Sequence, residues 1–347
     1  MLKRVGILAF GSYISPGRVS LELIAQVRGH DYSKILESLG VLEKSCALPN
    51  EDTITLATES TRQVCVQLDA LDINKKNIGA IYVASESHPY AVKPTSVTVG
   101  AALDLDEKLM AADIEFACKG GTAALQICMG LVGCKMVPIA MAVGADVAQA
   151  SQGDILEYTA GAGSASFAIA SQDFPLCAII EKTISVTSDT PDFWRREGQR
   201  YPVHTGRFTA QPSYFYHTLE AGKFLLEECG LTPKDINYIV FHQPNGNFPL
   251  KAASMLGFKK SQVLTGLLSP KIGNTYSASS LLGLIAVLES ASPTELILLV
   301  SYGSGSGSDA FLFSVTDQIK KTRQYGKSIS YYLSHTQKIL VDTEKNL

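Results

Sequence analysis

The chain changes hydrophobic pattern repeatedly, and the changes mark its elements. The opening "MLKRVGILAFGSY" is a short apolar run behind two basic residues and predicts a first strand. Further on, "TITLATESTRQVCVQL" has a helical pattern. A polar turn follows, and "LDINKKNIGAIYVASES" (Leu71 to Ser87) becomes an Ile-x-x-Ile-x-apolar strand that breaks into polar residues. The same succession returns as "SYFYHTLEAGKFLLEE" and "LTPKDINYIVFHQPN" (Leu231 to Asn245). Helix, turn, strand and chemically rich residues, repeated, predict a duplicated α/β unit.

Between the repeats, "DIEFACKGGTAALQICMGLVGC" (Asp113 to Cys134) is a strand-like run that stops at Cys118 and restarts as a long helix without charge. A strand, "MVPIAMAVGAD", a Gly-rich loop, "YTAGAGSAS", and another strand, "SFAIAS", come next. The second half closes similarly with "TELILLVSYGSGSGSDAFLFSV". Small residues in such loops let backbone approach backbone or ligand, although tight turns between core strands account for any one of them alone. The pattern divides the chain into an N-terminal half, 1–171, a C-terminal half, 172–317, and a tail, 318–347. The tail is charged and tyrosine-rich and reads as a solvated face or an interface arm.

Composition narrows the class. A chain of 347 residues, 46% hydrophobic and 18% charged, can bury a sizeable core in one large or two medium domains. A net charge of -3 gives no reason to expect a nucleic-acid partner. No apolar run reaches the ~20 residues a bilayer span needs. The N-terminal run ends at Gly11, too early and without a good cleavage site for a secretory signal. The 7 cysteines are odd in number and lack C-x-x-C pairing, which argues against a zinc site or a disulfide framework and for a reducing cytosol.

Four positions can carry chemistry. Cys118, at a strand-to-helix turn, lies near the positive end of a helix dipole among unpaired N–H groups. Both favour thiolate, and Lys119 adds to them. Gly120 and Gly121 permit an elbow and space for an acyl group, whose oxygen the same N–H groups can hold. The bland alternative is a buried structural cysteine. His242 ends an apolar strand, as a cleft acid, base or carbonyl polariser or as a satisfied surface imidazole. Glu86 ends the matching strand of the first half, as a base near apolar walls or a solvated loop residue, and spacing does not separate it from its neighbour His88. Asn274, at another strand-to-helix junction, can donate to an oxygen or orient a water, or serve as a helix cap.

Taken together, "EFACKGGTAALQ", "ESHPYAVKPTS", "YPVHTGRFT", "FHQPNGNFPL", "IGNTYSASSLLGL" and "SYGSGSGSDAF" resemble the archaeal-type 3-hydroxy-3-methylglutaryl-CoA (HMG-CoA) synthases of the thiolase superfamily. The likeness covers nearly the whole chain, including "YYLSHTQKIL" in the tail. It implies an α/β, five-layered αβαβα thiolase-like fold of two similar halves. It also implies that acetyl-CoA, acetoacetyl-CoA and water give HMG-CoA and CoA, in the mevalonate route to isoprenoids. By motif, Cys118 becomes the acyl-accepting nucleophile, Glu86 (over His88) the general acid/base, and His242 the group activating acetoacetyl-CoA. Asn274, Ser304, Thr159 and Thr209 fall where the family touches the acyl portion. Asp31 and Tyr32, with Arg207 and Lys251, fall where it contacts CoA. A homodimer, and assembly with an acetoacetyl-CoA thiolase and a zinc-ribbon/OB-fold protein, are implied too. Every step is acyl or proton transfer, so no metal or redox cofactor is needed.

The chain departs from the family at Asn247, where lysine is usual and contacts CoA. Losing that cation weakens phosphate binding unless Lys251, Arg207 or Lys271 compensates. Two rival functions share the motifs. A type III ketoacyl synthase would use Cys118, His242 and Asn274 without a base at Glu86, and a scaffold subunit would have lost catalytic groups. A thiolase needs a second cysteine late in the chain, whereas the last here is Cys229.

Overall fold

In the strand Ile139–Asp146 every residue is buried. Ile139, Met141, Val143 and Ala145 pack into one core, and Ala140 and Ala142 into another. A strand apolar on both faces requires a sheet covered on both sides. The computed structural model describes residues 4–147, 150–206, 209–305 and 307–341.

The main-sheet strands are β1 (Val5–Ile14), β2 (Ile78–Ala84), β3 (Met110–Ile114), β4 (Ile139–Asp146), β5 (Gly163–Ser171), β6 (Ala178–Thr187), β7 (Tyr238–Phe241), β8 (Leu296–Val300) and β9 (Gly307–Val315). They form a nine-stranded sheet in the order β7-β8-β9-β6-β1-β5-β4-β2-β3. Outward from β1 the order is β1-β5-β4-β2, paired antiparallel, antiparallel, parallel. Outward from β6 it is β6-β9-β8-β7, with the same sequence of pairings. The two Ile-x-x-Ile segments thus become β2 and β7, equivalent strands of a duplicated unit. Where the halves join, Gly6 of β1 stands opposite Ile179 of β6. A Cβ on Gly6 would lie 2.1 Å from the Ala178 carbonyl oxygen, so the strands can meet there only at glycine.

The helices that matter to the site are α1 (Tyr32–Leu39), α2 (Thr53–Ala70), α3 (Thr95–Ala102), α4 (Gly120–Gly133), α5 (Ile155–Thr159), α6 (Tyr216–Cys229), α7 (Phe248–Met255), α8 (Ser279–Ser290) and α9 (Ile329–Ser334). Val64 and Leu68 of α2 and Val99 of α3 cover the outer face of the first half. Leu225 of α6 and Ala252 of α7 cover the outer face of the second. Between them, Leu125 and Cys128 of α4 and Leu281 and Ile285 of α8 share a core with Phe167 of β5 and Phe311 of β9. The layers are therefore helix, sheet, helix, sheet, helix, as expected. The lack of charge in α4 follows from its place in the middle layer.

Two expectations change. A Cβ at Gly121 would lie 2.6 Å from both the Ser277 carbonyl oxygen and Leu281 Cδ1, so that glycine makes room for the second half rather than for an acyl group. The tail is not simply a solvated face or arm. Ile319, Ile329 and Tyr332 are buried in the central core, and the Tyr332 ring meets Tyr13 of β1 edge-on at 5.6 Å. Apolar residues set between the tail's charges dock it against the sheet. Among the described residues, no helix is long and apolar enough to cross a membrane.

A buried ion pair ties the halves together. Lys119 Nζ donates to both carboxylate oxygens of Asp309, at 3.0 and 2.9 Å, and Asp309 also accepts from the hydroxyls of Thr122 and Ser185. Removing one partner strands a charge in the core, at a cost of about 3–5 kcal/mol. Asp309→Ala is therefore expected to lower the denaturation midpoint sharply, and the double variant Lys119→Met/Asp309→Leu to lower it less. Denaturant titration of the three proteins checks this.

Candidate active site

After β3 the chain reverses at Ala117, whose φ of +44° is left-handed, before α4 begins at Gly120. A non-glycine residue there stores of order 1–3 kcal/mol of strain. The elbow directs Cys118 at a carboxyl group: Sγ donates to Glu86 Oε1 at 3.0 Å. Glu86 follows the end of β2, and Asp146 at the end of β4 fixes its segment. Asp146 Oδ1 accepts from the Ser85 hydroxyl, the Glu86 N–H and the Ser87 hydroxyl at 2.8, 2.8 and 2.7 Å. Its Oδ2 accepts from the Ser277 N–H and hydroxyl at 2.9 and 2.5 Å, which pins the second half to the same carboxylate.

Burial first, and the charge of Asp146 second, push the Glu86 carboxyl up to about 8. Burial and then Glu86 push the Cys118 thiol well above its ordinary range. The resting group is thus a thiol, contrary to the expected thiolate. Lys119 does not help, because its ammonium is turned to Asp309 and lies 3.8 Å from the Phe116 ring centre. The N–H groups of Lys119 and Gly120 already donate to the carbonyls of Phe116 and Ala117, so those two expected donors are engaged. Activation falls to the carboxyl group as proton acceptor.

His242 follows β7 directly and is buried, its carbonyl accepting from the Tyr214 hydroxyl at 2.8 Å. Burial lowers its imidazole to about 3, so the ring is neutral at physiological pH. Its Nδ1 has no hydrogen-bond partner among the described residues. Beside it, the Tyr302 hydroxyl donates to Asp192 at 2.7 Å, and Asp192 also accepts from the Gly305 N–H at 2.6 Å, holding the segment that carries Phe193. Asn274 donates its N–H to the Thr159 carbonyl at 2.6 Å and accepts from the Tyr276 N–H at 2.9 Å. Its side chain works against the rise of the Cys118 thiol.

A cavity of about 370 Å³ brings together Cys118, Thr159, Thr209, His242, Asn274 and Ser304. Glu86 touches the thiol from outside that cavity. His88 turns to the Thr95 hydroxyl and Asp113 instead. Asp31 and Tyr32 lie away from the cavity, at the start of α1: the Asp31 carboxylate caps the helix, and Tyr32 packs beside Leu39 and Tyr158. The far end of α1 brings Ser38 and Leu39 to the cavity. There the Asn247 amide donates to the carbonyls of Glu37 and Ser38, both at 2.9 Å, binding the end of α1 where a lysine would present a charge. Lys251 is exposed on α7, its ammonium 5.0 Å from the Phe215 ring centre, and Lys271 is exposed nearby in the chain. Arg207 lies outside the described residues. Sequence reasoning passed over Asp146, Ala117, Phe193 and Tyr276; only Asp146, an acid ending an all-apolar strand, left a signal there.

Known proteins share the fold and much of the sequence. Residues 226–315 match the model described as 3-oxoacyl-[acyl-carrier-protein (ACP)] synthase III C terminal. The chain resembles the solved structure "MvaS in complex with 3-hydroxy-3-methylglutaryl coenzyme A", with a TM-score of 0.84 and 24% identity over 98% of this chain and 90% of that one. It also resembles 3-oxoacyl-(acyl carrier protein) synthase III from Pseudomonas aeruginosa PAO1, with a TM-score of 0.82 and 18% identity over 90% and 99%. The fold is that of the thiolase superfamily. Hydroxymethylglutaryl-CoA synthases of Methanosarcina mazei and Methanocaldococcus jannaschii are 50% and 49% identical, over 94% and 96% of this chain and 93% and 95% of their own lengths. The chain belongs to the hydroxymethylglutaryl-CoA synthase family.

If Glu86 must be ionised to accept a proton, kcat/KM rises with pH through about 8. Without the Asp146 charge nearby, the Glu86 carboxyl is raised less. Asp146→Asn is therefore expected to shift this limb to lower pH, with a lower plateau because the Ser85–Ser87 segment loses its anchor. Paired pH–rate profiles check both effects.

Proposed function

We infer that this chain condenses acetyl-CoA with acetoacetyl-CoA and water to give HMG-CoA and CoA, through an acetyl-Cys118 intermediate. The observation that carries this reading is the 3.0 Å contact between Cys118 Sγ and Glu86 Oε1. Glu86 takes the thiol proton as sulfur attacks acetyl-CoA, and returns it to the departing CoA sulfur. The carboxylate then removes a proton from the acetyl methyl group. The resulting carbon nucleophile attacks the ketone of acetoacetyl-CoA, whose oxygen lies against neutral His242 and takes the proton now on Glu86. Water finally cleaves the Cys118 thioester. Asn274, Ser304, Thr159 and Thr209 line the acyl chamber, and Lys251 and Arg207 serve CoA. Each step moves an acyl group or a proton, which supports a reaction needing no cofactor besides its CoA substrates.

The match to synthase III over 226–315 raises decarboxylating condensation of a malonyl thioester as a second reading. A carboxyl group touching the thiol supports the first, because decarboxylation already generates the carbanion. We also assign a homodimer, joined at β3. That strand edges the sheet, its residues are exposed or half-buried, and exposed Val97 of α3 flanks it. Assembly with an acetoacetyl-CoA thiolase and a zinc-ribbon/OB-fold protein is supported by Asn247, whose amide is spent on α1 rather than on CoA. Unpaired cysteines suit a cytoplasmic reaction in the mevalonate route.

Cys118→Ser is expected to abolish covalent acetylation, Glu86→Ala to be acetylated at a reduced rate yet fail to condense, and His242→Ala to be acetylated but to use acetoacetyl-CoA poorly. Intact-protein mass spectrometry after acetyl-CoA and then acetoacetyl-CoA checks all three. CO₂ release from malonyl thioesters without HMG-CoA formation would favour the second reading. Sedimentation velocity should give a dimer, and an added OB-fold partner should tighten CoA binding.

A further inference from the structure

Cys118 and Glu86 touch, yet they open on different spaces. Cys118 lines the cavity of about 370 Å³ described above, whereas Glu86 lines a second one of about 160 Å³. Among the described residues, Phe193 and Tyr276 alone line both. With Ala150 and Ala160 they pack around the thiol as a small apolar cluster. The sulfur–carboxyl contact is therefore part of a partition.

The two sides differ in chemistry. The first is walled by the aromatic rings of Tyr214, Phe248 and Tyr302, a lining suited to an acyl chain. The second presents Glu86, Ser87, Glu115, Asp146 and Arg195. Glu115 and Arg195 are exposed and Trp194 is 39% exposed, so this cavity reaches solvent. A water needs roughly 10–15 Å³ of such space and two to four polar partners, so the cavity has room for several. The Arg195 guanidinium donates to the Glu86 carbonyl at 3.3 Å, fixing the carboxyl-bearing segment at the inner end.

We propose that this second cavity is the water and proton port of the reaction: CoA esters reach Cys118 from one side of the partition, and water reaches Glu86 from the other. The inference rests on the condensing chemistry above and adds a route to it. In the last step a water oxygen bonds to the thioester carbon on Cys118 while one of its protons passes to the Glu86 carboxylate. The carbon–sulfur bond breaks, Glu86 returns the proton to sulfur, and the released carboxylic acid loses its own proton to solvent.

The test follows the lifetime of acetyl-Cys118 by intact-protein mass spectrometry, after acetyl-CoA has been removed and with no acetoacetyl-CoA present. Trp194→Ala widens the port's mouth and is expected to shorten the lifetime several-fold. Val147→Trp fills the port and is expected to lengthen it several-fold. Both should be acetylated at close to the wild-type rate, because acetyl-CoA enters by the other cavity. Equal lifetimes in wild type and Trp194→Ala would overturn the proposal even if Val147→Trp does not fold. So would a large loss of acetylation rate in folded Trp194→Ala, since the two cavities would then not be separate. Failure of wild-type Cys118 to acetylate at all would instead overturn the condensing reading, and the port with it.

Discussion

A buried thiol and a half-buried carboxyl group 3.0 Å apart can bear only one negative charge between them. Burial raises the proton affinity of both, the carboxyl group raises that of the thiol further, and the thiol's hydrogen bond to the carboxyl group works against its rise. Reactivity then depends on a proton moving across one short contact when an acyl group arrives, not on a standing thiolate. The neighbouring structure holds that contact in place. The elbow at Ala117 aims the sulfur, five hydrogen bonds to Asp146 fix the carboxyl-bearing segment and Ser277, and Asn274 lines the sulfur's cavity from the second half.

Duplication explains why these groups converge. Glu86 follows β2 and His242 follows β7, which are equivalent strands. Cys118 leads into α4 and Asn274 into the segment before α8, which are equivalent central helices. Each half thus supplies one group from a strand end and one from a helix entry, and the pseudo-symmetric join at β1 and β6 turns the pairs toward each other. The Lys119–Asp309 ion pair crosses the same interface next to the nucleophile, so stability and site geometry are coupled there.

Much of this was legible beforehand for a physical reason. Strand and helix periods survive in sequence because burial is periodic, so β2, β7, α2 and α6 and their repetition could be read directly. Cys118, His242 and Ser304 of the acyl chamber sat in motifs after strand ends, where the fold must put chemistry, whereas Thr159 ends one short helix and Asn274 follows another. Long-range partners were not legible. Nothing next to Lys119 reveals that its ammonium is committed to Asp309, 190 positions away, and local helix-dipole reasoning therefore favoured the wrong resting state of Cys118. Gly121 likewise looks like room for a ligand until the backbone of Ser277 occupies that space. The tail's charges hid Ile329 and Tyr332, which are spaced to dock rather than to solvate.

The ionisation of Cys118 is the most direct place to test the account. Alkylation of this cysteine by iodoacetamide, followed across pH by peptide mass spectrometry, reports the fraction of thiolate. With Glu86 intact the reaction should stay slow until well above the ordinary thiol range. In Glu86→Gln, with the neighbouring charge gone, its midpoint should fall to lower pH. An unchanged or higher midpoint in that variant, or a wild-type Cys118 already alkylated rapidly at neutral pH, would contradict the shared-proton contact.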